Sequence, residues 1–349
     1  MDKIRVGIAG AAGYTGCELI RLLTTHPQAD IRWMSTGPTH AGKKLHDVFP
    51  HLRALPDRTF LPLRAALEEE PVDAVFFALP HGEAMALASA FLEQGTRVID
   101  IGADFRLRDS RVFEKWYEKA HTAPGLLGEA VYGLTELNRS EISKARLVAN
   151  PGCYPTVSLL CLAPLVRSGR IDPRSIVIDA KSGVSGAGRG LTLKTHYAEC
   201  DEDLQAYSPL VHRHLPEIEQ ELSRLAGSEA RVSFVPHLVP MIRGMLAVVY
   251  GRWTSEIDPQ ELQGLYEGFY RDEPFVQVLP PGVLPRTKDV WGTNRCEIAV
   301  RTDPRTGIVL AIGVIDNLGK GASGQAVQNF NCMFSLAETS GLDLIGVYP

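Results

Sequence analysis

"KIRVGIAGAAGYTGCELIRLLTTHP", Lys3 to Pro27, decides how the rest of the chain is read. Lys3–Gly10 is a short β-branched run that ends in glycine. Tyr14–Pro27 has helical spacing, with Leu19, Leu22 and Leu23 on one face and Pro27 as a stop. Between them stand Gly10, Gly13 and Gly16, a G-x-x-G-x-x-G loop. Glycine there lets backbone approach a pyrophosphate, and the following helix start offers unpaired N–H groups to it. The spacing departs from the common G-x-G-x-x-G, but the strand-to-helix context is the one that motif requires. Gly10, Ala12, Gly13, Tyr14, Thr15 and Gly16 are therefore candidate dinucleotide contacts.

Working outward, the pattern repeats. Strand-like runs at Ile31–Gly37, Val72–Gly82, Thr96–Phe105 and Ala145–Gly152 alternate with helix-like ones such as "EAMALASAFLEQG". That alternation predicts βαβ units and a Rossmann-type parallel sheet buried on both faces. After residue 152 the pattern changes. Ser175–Gly183, Arg231–Pro240 and Gly244–Trp253 read as strands, and Glu297–Leu318 reads as a hairpin around Asp-Pro-Arg-Thr-Gly. Helical spacing appears in "LPEIEQELSRLAG" and "DPQELQGLYEGFYRD". An α+β domain with a mixed or antiparallel sheet is expected there. The expected division is residues 1–152 for the dinucleotide-binding domain and 153–317 for a catalytic and dimerisation domain. The remaining 318–349 is expected to be a helical segment returning to the first domain, with Ala326, Phe330, Met333 and Phe334 on one face.

Composition narrows the function classes. The 349 residues are 45% apolar and 22% charged with a net charge of −5, ordinary for a globular protein of two domains. No basic stripe points to nucleic acid, and no apolar run is long enough to span a membrane. The charged start argues against a signal peptide. Six scattered cysteines without a C-x-x-C pair suggest no metal site and fit a reducing cytoplasm.

The end of the second strand distinguishes cofactors. An NAD site usually carries an acid there to bind the ribose 2′-hydroxyl. Here "WMSTGPTHAGKK" has none; it offers Ser35 and Thr36, with Lys43 and Lys44 beyond. A 2′-phosphate is welcome in such a segment, so NADP(H) is expected over NAD.

A second stretch carries the chemistry. In "VANPGCYPTVSLLCLAPL", Cys153 lies between Pro-Gly and Tyr-Pro, after a strand and before an apolar helix expected over about Pro155–Val166. A cysteine at a helix start has its thiolate favoured by the dipole and free N–H groups. The same groups can hold an oxyanion. Thr156 is expected to add a capping hydroxyl. Cys17, Cys161 and Cys332, on helical patterns, read as packing.

"VANPGCYPT" resembles the active-site signature of the N-acetyl-gamma-glutamyl-phosphate reductases, relatives of the aspartate-semialdehyde dehydrogenases. "GAAGYTG", "ALPHG", "GADFRL", "SGVSGAGR", "HRHLPEI", "PHLVPMIRGM" and "DNLGKGASGQA" follow the family's order over nearly the whole chain. Val157 departs from it, since the family usually has Gly or Ala after the threonine. The resemblance implies NADPH-dependent reduction of an acyl phosphate to a semialdehyde in arginine biosynthesis, through a thioester on Cys153. It implies an acid–base histidine in "HRHLPEI", His214 before His212, with Glu217 placed to orient an imidazole. It implies that Ser182, Gly183 and Asn317 lie near the nicotinamide. It also implies that Arg106, Asn150, Arg189 and Arg243 are candidates to bind the substrate's phosphate and carboxylate. A homo-oligomer, dimer or tetramer, is the family expectation.

Other readings stay open at this level. One is the related reductase of lysine biosynthesis, which acts on a carrier-bound aminoadipyl phosphate and would need a basic docking face. Others are an aspartate-semialdehyde dehydrogenase, which "HRHLPEI" disfavours, and a non-catalytic NADP-binding sensor on the same fold.

Overall fold

The computed structural model describes residues 3–348, which fall into two compact units. One gathers the chain up to Pro151 with Ala322–Asp343; the other is Gly152–Gly321 with the stretch from Leu344 on.

The first unit is built on seven strands: β1 Ile4–Ala9, β2 Ala29–Thr36, β3 Leu61–Pro62, β4 Ala74–Phe77, β5 Arg97–Asp100, β6 Val131–Tyr132 and β7 Leu147–Ala149. They lie in the order β3-β2-β1-β4-β5-β7-β6, and every pairing is parallel. This is the Rossmann-type sheet expected from the alternating pattern. Strand order reverses between β1 and β4, and the crevice beyond the carboxyl ends there is where such sheets take ligands. Val6, Ile8, Val75, Phe77, Val98 and Val148 are wholly buried, as a sheet covered on both faces requires.

The late helix Gly324–Met333 belongs to this unit and is buried on every side. Its polar residues are paired inside the unit. Gln325 Nε2 donates to Thr135 Oγ1 at 2.9 Å, Thr135 Oγ1 donates to Asn329 Oδ1 at 2.8 Å, and Asn329 Nδ2 donates to Asn150 Oδ1 at 2.9 Å. Such an amide chain tolerates burial because each member has a partner.

The second unit holds β8 Ile176–Gly183, β9 Gln205–Ala206, β10 Val232–Val239, β11 Met245–Arg252, β12 Val276–Val278, β13 Cys296–Asp303 and β14 Ile308–Ile315. Their order is β12-β13-β14-β11-β8-β10-β9. β8 and β10 run parallel, whereas β11 pairs antiparallel with β8 and with β14, so the sheet is mixed. β13 and β14 form the expected hairpin, with Cys296 opposite Ile315 and Asp303 opposite Ile308. Helices Cys153–Arg167, Leu215–Ala226 and Pro259–Phe269 pack on one face of the sheet. Along β8 and β11 burial alternates residue by residue, as a sheet covered on one face only dictates.

Candidate active site

The glycine loop follows β1 and opens helix Tyr14–Thr25. Gly10 has φ +85°, and a Cβ there would stand 2.1 Å from the Ala78 carbonyl oxygen. A Cβ on Gly16 would stand 2.5 Å from Ala11 Cα. Only glycine fits at either place. Gly13, the N-cap residue, has room for a Cβ and contributes no side-chain cap. The N–H groups of Tyr14, Thr15 and Gly16 are thus those of an uncapped first turn without an acidic side chain, the arrangement that suits an anion. Gly10 and Ala11 donate their N–H groups to Ser35 O at 2.9 and 3.0 Å, tying the loop to the end of β2. The Ser35 hydroxyl is wholly buried and finds no hydrogen-bond partner among the described residues; Thr36, next to it, is also buried. Lys43 and Lys44 are exposed.

Cys153 is the first residue of its helix, with Gly152 as N-cap. The helix thus begins two residues before the expected Pro155 and places the thiol-bearing residue in its first turn. Gly152 N–H donates to Glu217 Oε1 at 2.9 Å. Glu217, buried in the neighbouring helix, therefore pins the cysteine loop, a role its spacing from His214 did not announce. The Thr156 hydroxyl donates to Gly152 O at 2.9 Å; it bonds back to a carbonyl and does not cap the free amides. Gly321 closes the other side, since a Cβ there would lie 2.9 Å from Cys153 Cβ.

The histidines stand over the same helix start. His214 is the N-cap residue of Leu215–Ala226, and its N–H donates to His212 Nδ1 at 3.1 Å. The two rings are 4.8 Å apart and lie 5.6 Å (His212) and 6.0 Å (His214) from the Tyr154 ring. Burial, with the adjacent Arg213 charge, pushes His212 down to about 4, so its ring is neutral at neutral pH. Tyr154 O–H donates to His237 O and Tyr207 O–H donates to Tyr154 Oη. Burial pushes both phenols upward; they remain protonated donors. Burial likewise raises the Cys161 thiol, which marks it as packing.

Arg243 is held by the wholly buried Asp316, Nε to Oδ2 at 2.9 Å. Asp316 also accepts the N–H groups of Gly292, Leu318 and Gly319. The Gly321 N–H donates to Asp316 O, so the Arg243 anchor and the wall beside Cys153 are one turn of chain. Asn317 Oδ1 accepts Gly244 N–H at 2.8 Å and Asn317 Nδ2 donates to Ser185 Oγ at 2.9 Å. Its amide thereby clamps the loop after Gly183 to the loop carrying Arg243. Ser182 and Gly183 are buried at the end of β8, and Gly183 lies flat against the carbonyls of Met241 and Ile242. Arg189 is exposed.

In the first unit, Arg106 is buried and donates to Asn150 O and Ile101 O, both at 2.8 Å. Asn150 is wholly buried, with its amide bonded to Asn329 and to Ala322 O. The second unit thus brings together Cys153, Glu217, His212, His214, Arg243, Asn317, Ser182 and Gly183. The first holds the glycine loop, Ser35, Thr36, Arg106 and Asn150.

Two family models match the chain: the semialdehyde dehydrogenase NAD binding domain over residues 5–145 and the semialdehyde dehydrogenase dimerisation domain over 153–317. The N-acetyl-gamma-glutamyl-phosphate reductase of Desulforudis audaxviator is 55% identical over 99% of this chain and 100% of its own. That of Symbiobacterium thermophilum is 55% identical over 99% of both chains. The chain belongs to the N-acetyl-gamma-glutamyl-phosphate reductase family. Among solved structures, aspartate semialdehyde dehydrogenase II of Vibrio cholerae shares its fold, with TM-score 0.73 and 17% identity over 96% of this chain and 99% of that one. The Candida albicans aspartate semialdehyde dehydrogenase does so with TM-score 0.69 and 16% identity, over 95% and 99%.

Within this reductase family, Val157 is absorbed locally. It is wholly buried and faces Gly313 of β14, where a Cβ would come 2.9 Å from Val157 Cγ2 and 2.4 Å from Cys161 Sγ. Asp316, Tyr154 and Tyr207 escaped the sequence reading. An acid closing an apolar strand in "GVIDNLG" was the available signal for Asp316.

Proposed function

We propose that the chain reduces N-acetyl-gamma-glutamyl phosphate to N-acetylglutamate 5-semialdehyde and phosphate, using NADPH, in the arginine biosynthesis of the cytoplasm. Its curated relatives bear that reductase name over their full length. The observation that carries the mechanism is the thiol-bearing residue in a first helical turn, on a loop pinned by Glu217, with two histidine rings against Tyr154, the next residue of that turn.

Cys153 thiolate attacks the acyl carbon; a C–S bond forms and phosphate leaves with the electrons of the broken C–O bond. N–H groups of the first turn stabilise the thiolate and the developing oxyanion. A reduced nicotinamide, when bound, would supply hydride to the thioester carbon. His214 manages the proton as the C–S bond breaks and the aldehyde forms. His212, held neutral, positions His214 by accepting its N–H. Arg243, oriented by Asp316, binds an anionic group of the substrate. Arg106, Arg189 and Asn150 are further candidates, and the first and last also shape the strand end that leads into the cysteine loop.

The residues fit a nicotinamide dinucleotide. The loop Gly10–Gly16 offers an uncapped turn, and the orphaned Ser35 hydroxyl beside Thr36 offers a donor at the end of β2. With no acid there, NADP is the reading we favour. Ser182, Gly183 and Asn317 would border the nicotinamide. We further propose a homodimer through the dimerisation domain. Among the described residues no helix is long and apolar enough to cross a membrane.

The test is phosphate-dependent reduction of NADP by N-acetylglutamate 5-semialdehyde, with kcat/KM compared for the two cofactors in both directions. The proposal expects activity and at least about a tenfold preference for NADP(H), the size of one charge-assisted contact. Preference for NAD(H) would overturn the Ser35–Thr36 assignment. Activity with an aspartyl or carrier-linked acyl phosphate alone would overturn the substrate.

A further inference from the structure

The turn after β5 in the first unit buries two acids but provides for one charge. Asp100 ends the strand and Asp104 follows four residues on; both are wholly buried. Asp104 is equipped as a carboxylate: Oδ1 accepts Gly82 N–H at 2.6 Å and Oδ2 accepts Met85 N–H at 3.1 Å. Asp100 is not. Its Oδ1 accepts Gly102 N–H at 2.9 Å, and its Oδ2 has no hydrogen-bond partner among the described residues. The strands on either side set Phe77 of β4 and Ala149 of β7 opposite it. Helix Gly324–Met333 carries no charged side chain, and helix Met85–Glu93 carries only Glu93, exposed at its far end. His121 Nδ1 accepts Ala123 N–H and its Nε2 donates to Asp104 O, so this ring brings no charge. Lys119 is exposed and reaches His81 O, and Glu114, also exposed, accepts His121 N–H. Arg106 is the cation of the turn, and the Asp104 charge balances it. A buried oxygen that meets no donor disfavours ionisation. Burial first, then the Asp104 charge, pushes the Asp100 carboxyl up to about 8, against Arg106 and the N–H groups of Gly102 and Asp104.

What the two acids hold is the loop between β4 and helix Met85–Glu93. Gly82, at φ +84°, and Met85 hang on Asp104. Gly102 fills the gap between Asp100 and the same loop, since a Cβ there would stand 2.9 Å from Asp100 Oδ1 and 3.4 Å from Leu79 O. The loop starts at Ala78, whose N–H donates to Ala9 O at 2.8 Å and whose carbonyl abuts Gly10. It is therefore the neighbour of the glycine loop, across the point where strand order reverses. We infer that Asp100 is carried as a neutral acid and is a positioning residue for the dinucleotide site. While it keeps its proton, Asp104 alone bears the charge that pins Gly82 and Met85 beside the glycine loop. When the proton is lost, two carboxylates face each other in a dry turn, and the loop is released from its bound form. The inference rests on the dinucleotide reading above and adds which ionisation keeps that site formed.

The experiment compares the full chain with Asp100→Asn, which is neutral at every pH and nearly the same shape. Infrared difference spectra between pH 7 and pH 9 are expected to show loss of a protonated-carboxyl stretch in wild type and not in Asp100→Asn. The dissociation constant for NADP, measured by calorimetry, is expected to rise about tenfold from pH 7 to pH 9 in wild type, as the share of chains holding the proton falls by that factor. In Asp100→Asn it is expected to stay level. A merely structural Asp100 would shift affinity alike at every pH. An equal rise in both chains, no rise in either, or no stretch lost from wild type overturns the inference while the dinucleotide site stands. Should Asp100→Asn fail to fold, wild type decides alone: stretch and affinity must be lost with one midpoint, and separate midpoints overturn the inference. A wild-type chain that binds no NADP at any pH overturns the dinucleotide reading itself.

Discussion

Two histidines of similar sequence setting stand in different surroundings. His212 is enclosed by the rings of Tyr154, Tyr207 and Phe234, which penalises its charged form. His214 stands at the start of a helix and beside Tyr154. Replacing His214 with Asn is expected to lower kcat by about a hundredfold or more, the usual scale for a general acid–base group, with KM for NADP nearly unchanged. An unchanged kcat would move the proton to His212. The depressed His212 has a stability consequence. Its folded value, about 4, lies below the unfolded value near 6.5, so the unfolded chain binds more protons between the two. The His212 contribution is therefore full above pH 6.5 and is lost as pH falls toward 4, at about 1.4 kcal/mol per unit. Urea midpoints from pH 7 to 4.5 should fall less steeply in His212→Asn; parallel slopes would refute the assignment. From residues alone the H-R-H string and the cysteine were legible, because each has a local pattern. What Glu217 does was not, since Gly152 lies 65 residues away in the chain and their bond depends on how two helices pack.

Strands and helices with strong periodicity were readable at the scale of the element: β1, β2, the hairpin β13–β14 and the helix Tyr14–Thr25 stand where the pattern put them. The two-residue strands β3, β6 and β9 carry no period to detect. The helix Gly324–Met333 shows a different gap. Its apolar stripe was plain, but its polar side is also buried, and only the partners Thr135 and Asn150 explain why Gln325 and Asn329 belong inside. The helix bearing Cys153 illustrates how closely one element fits another. Residues 153, 157 and 161 share a stripe, and the latter two press on Gly313 of β14. Gly313→Ala is expected to cost about 1–3 kcal/mol by overpacking and to lower the melting temperature. Adding Cys161→Ala should recover part of the loss. A melting temperature unmoved by Gly313→Ala would contradict this packing.

For the whole molecule, the change in pattern near residue 152 reflects a real difference between a sheet covered on both faces and one covered on one. Sheet order and the uncovered face were not legible, because they depend on which strands meet and not on what any strand contains. The proposed reaction draws on residues far apart in the chain: an uncapped turn near residue 13, a thiol at 153, rings at 212 and 214, and a buried acid at 316 that holds Arg243. On that proposal the reaction runs through one covalent intermediate on Cys153. The most direct test mixes the chain with N-acetyl-gamma-glutamyl phosphate in the absence of NADPH. Expected are release of about one phosphate per chain in a burst, an acyl adduct located by mass spectrometry on Cys153, and loss of both in Cys153→Ser. An adduct on another residue, or full NADPH-dependent turnover by Cys153→Ser, would contradict it.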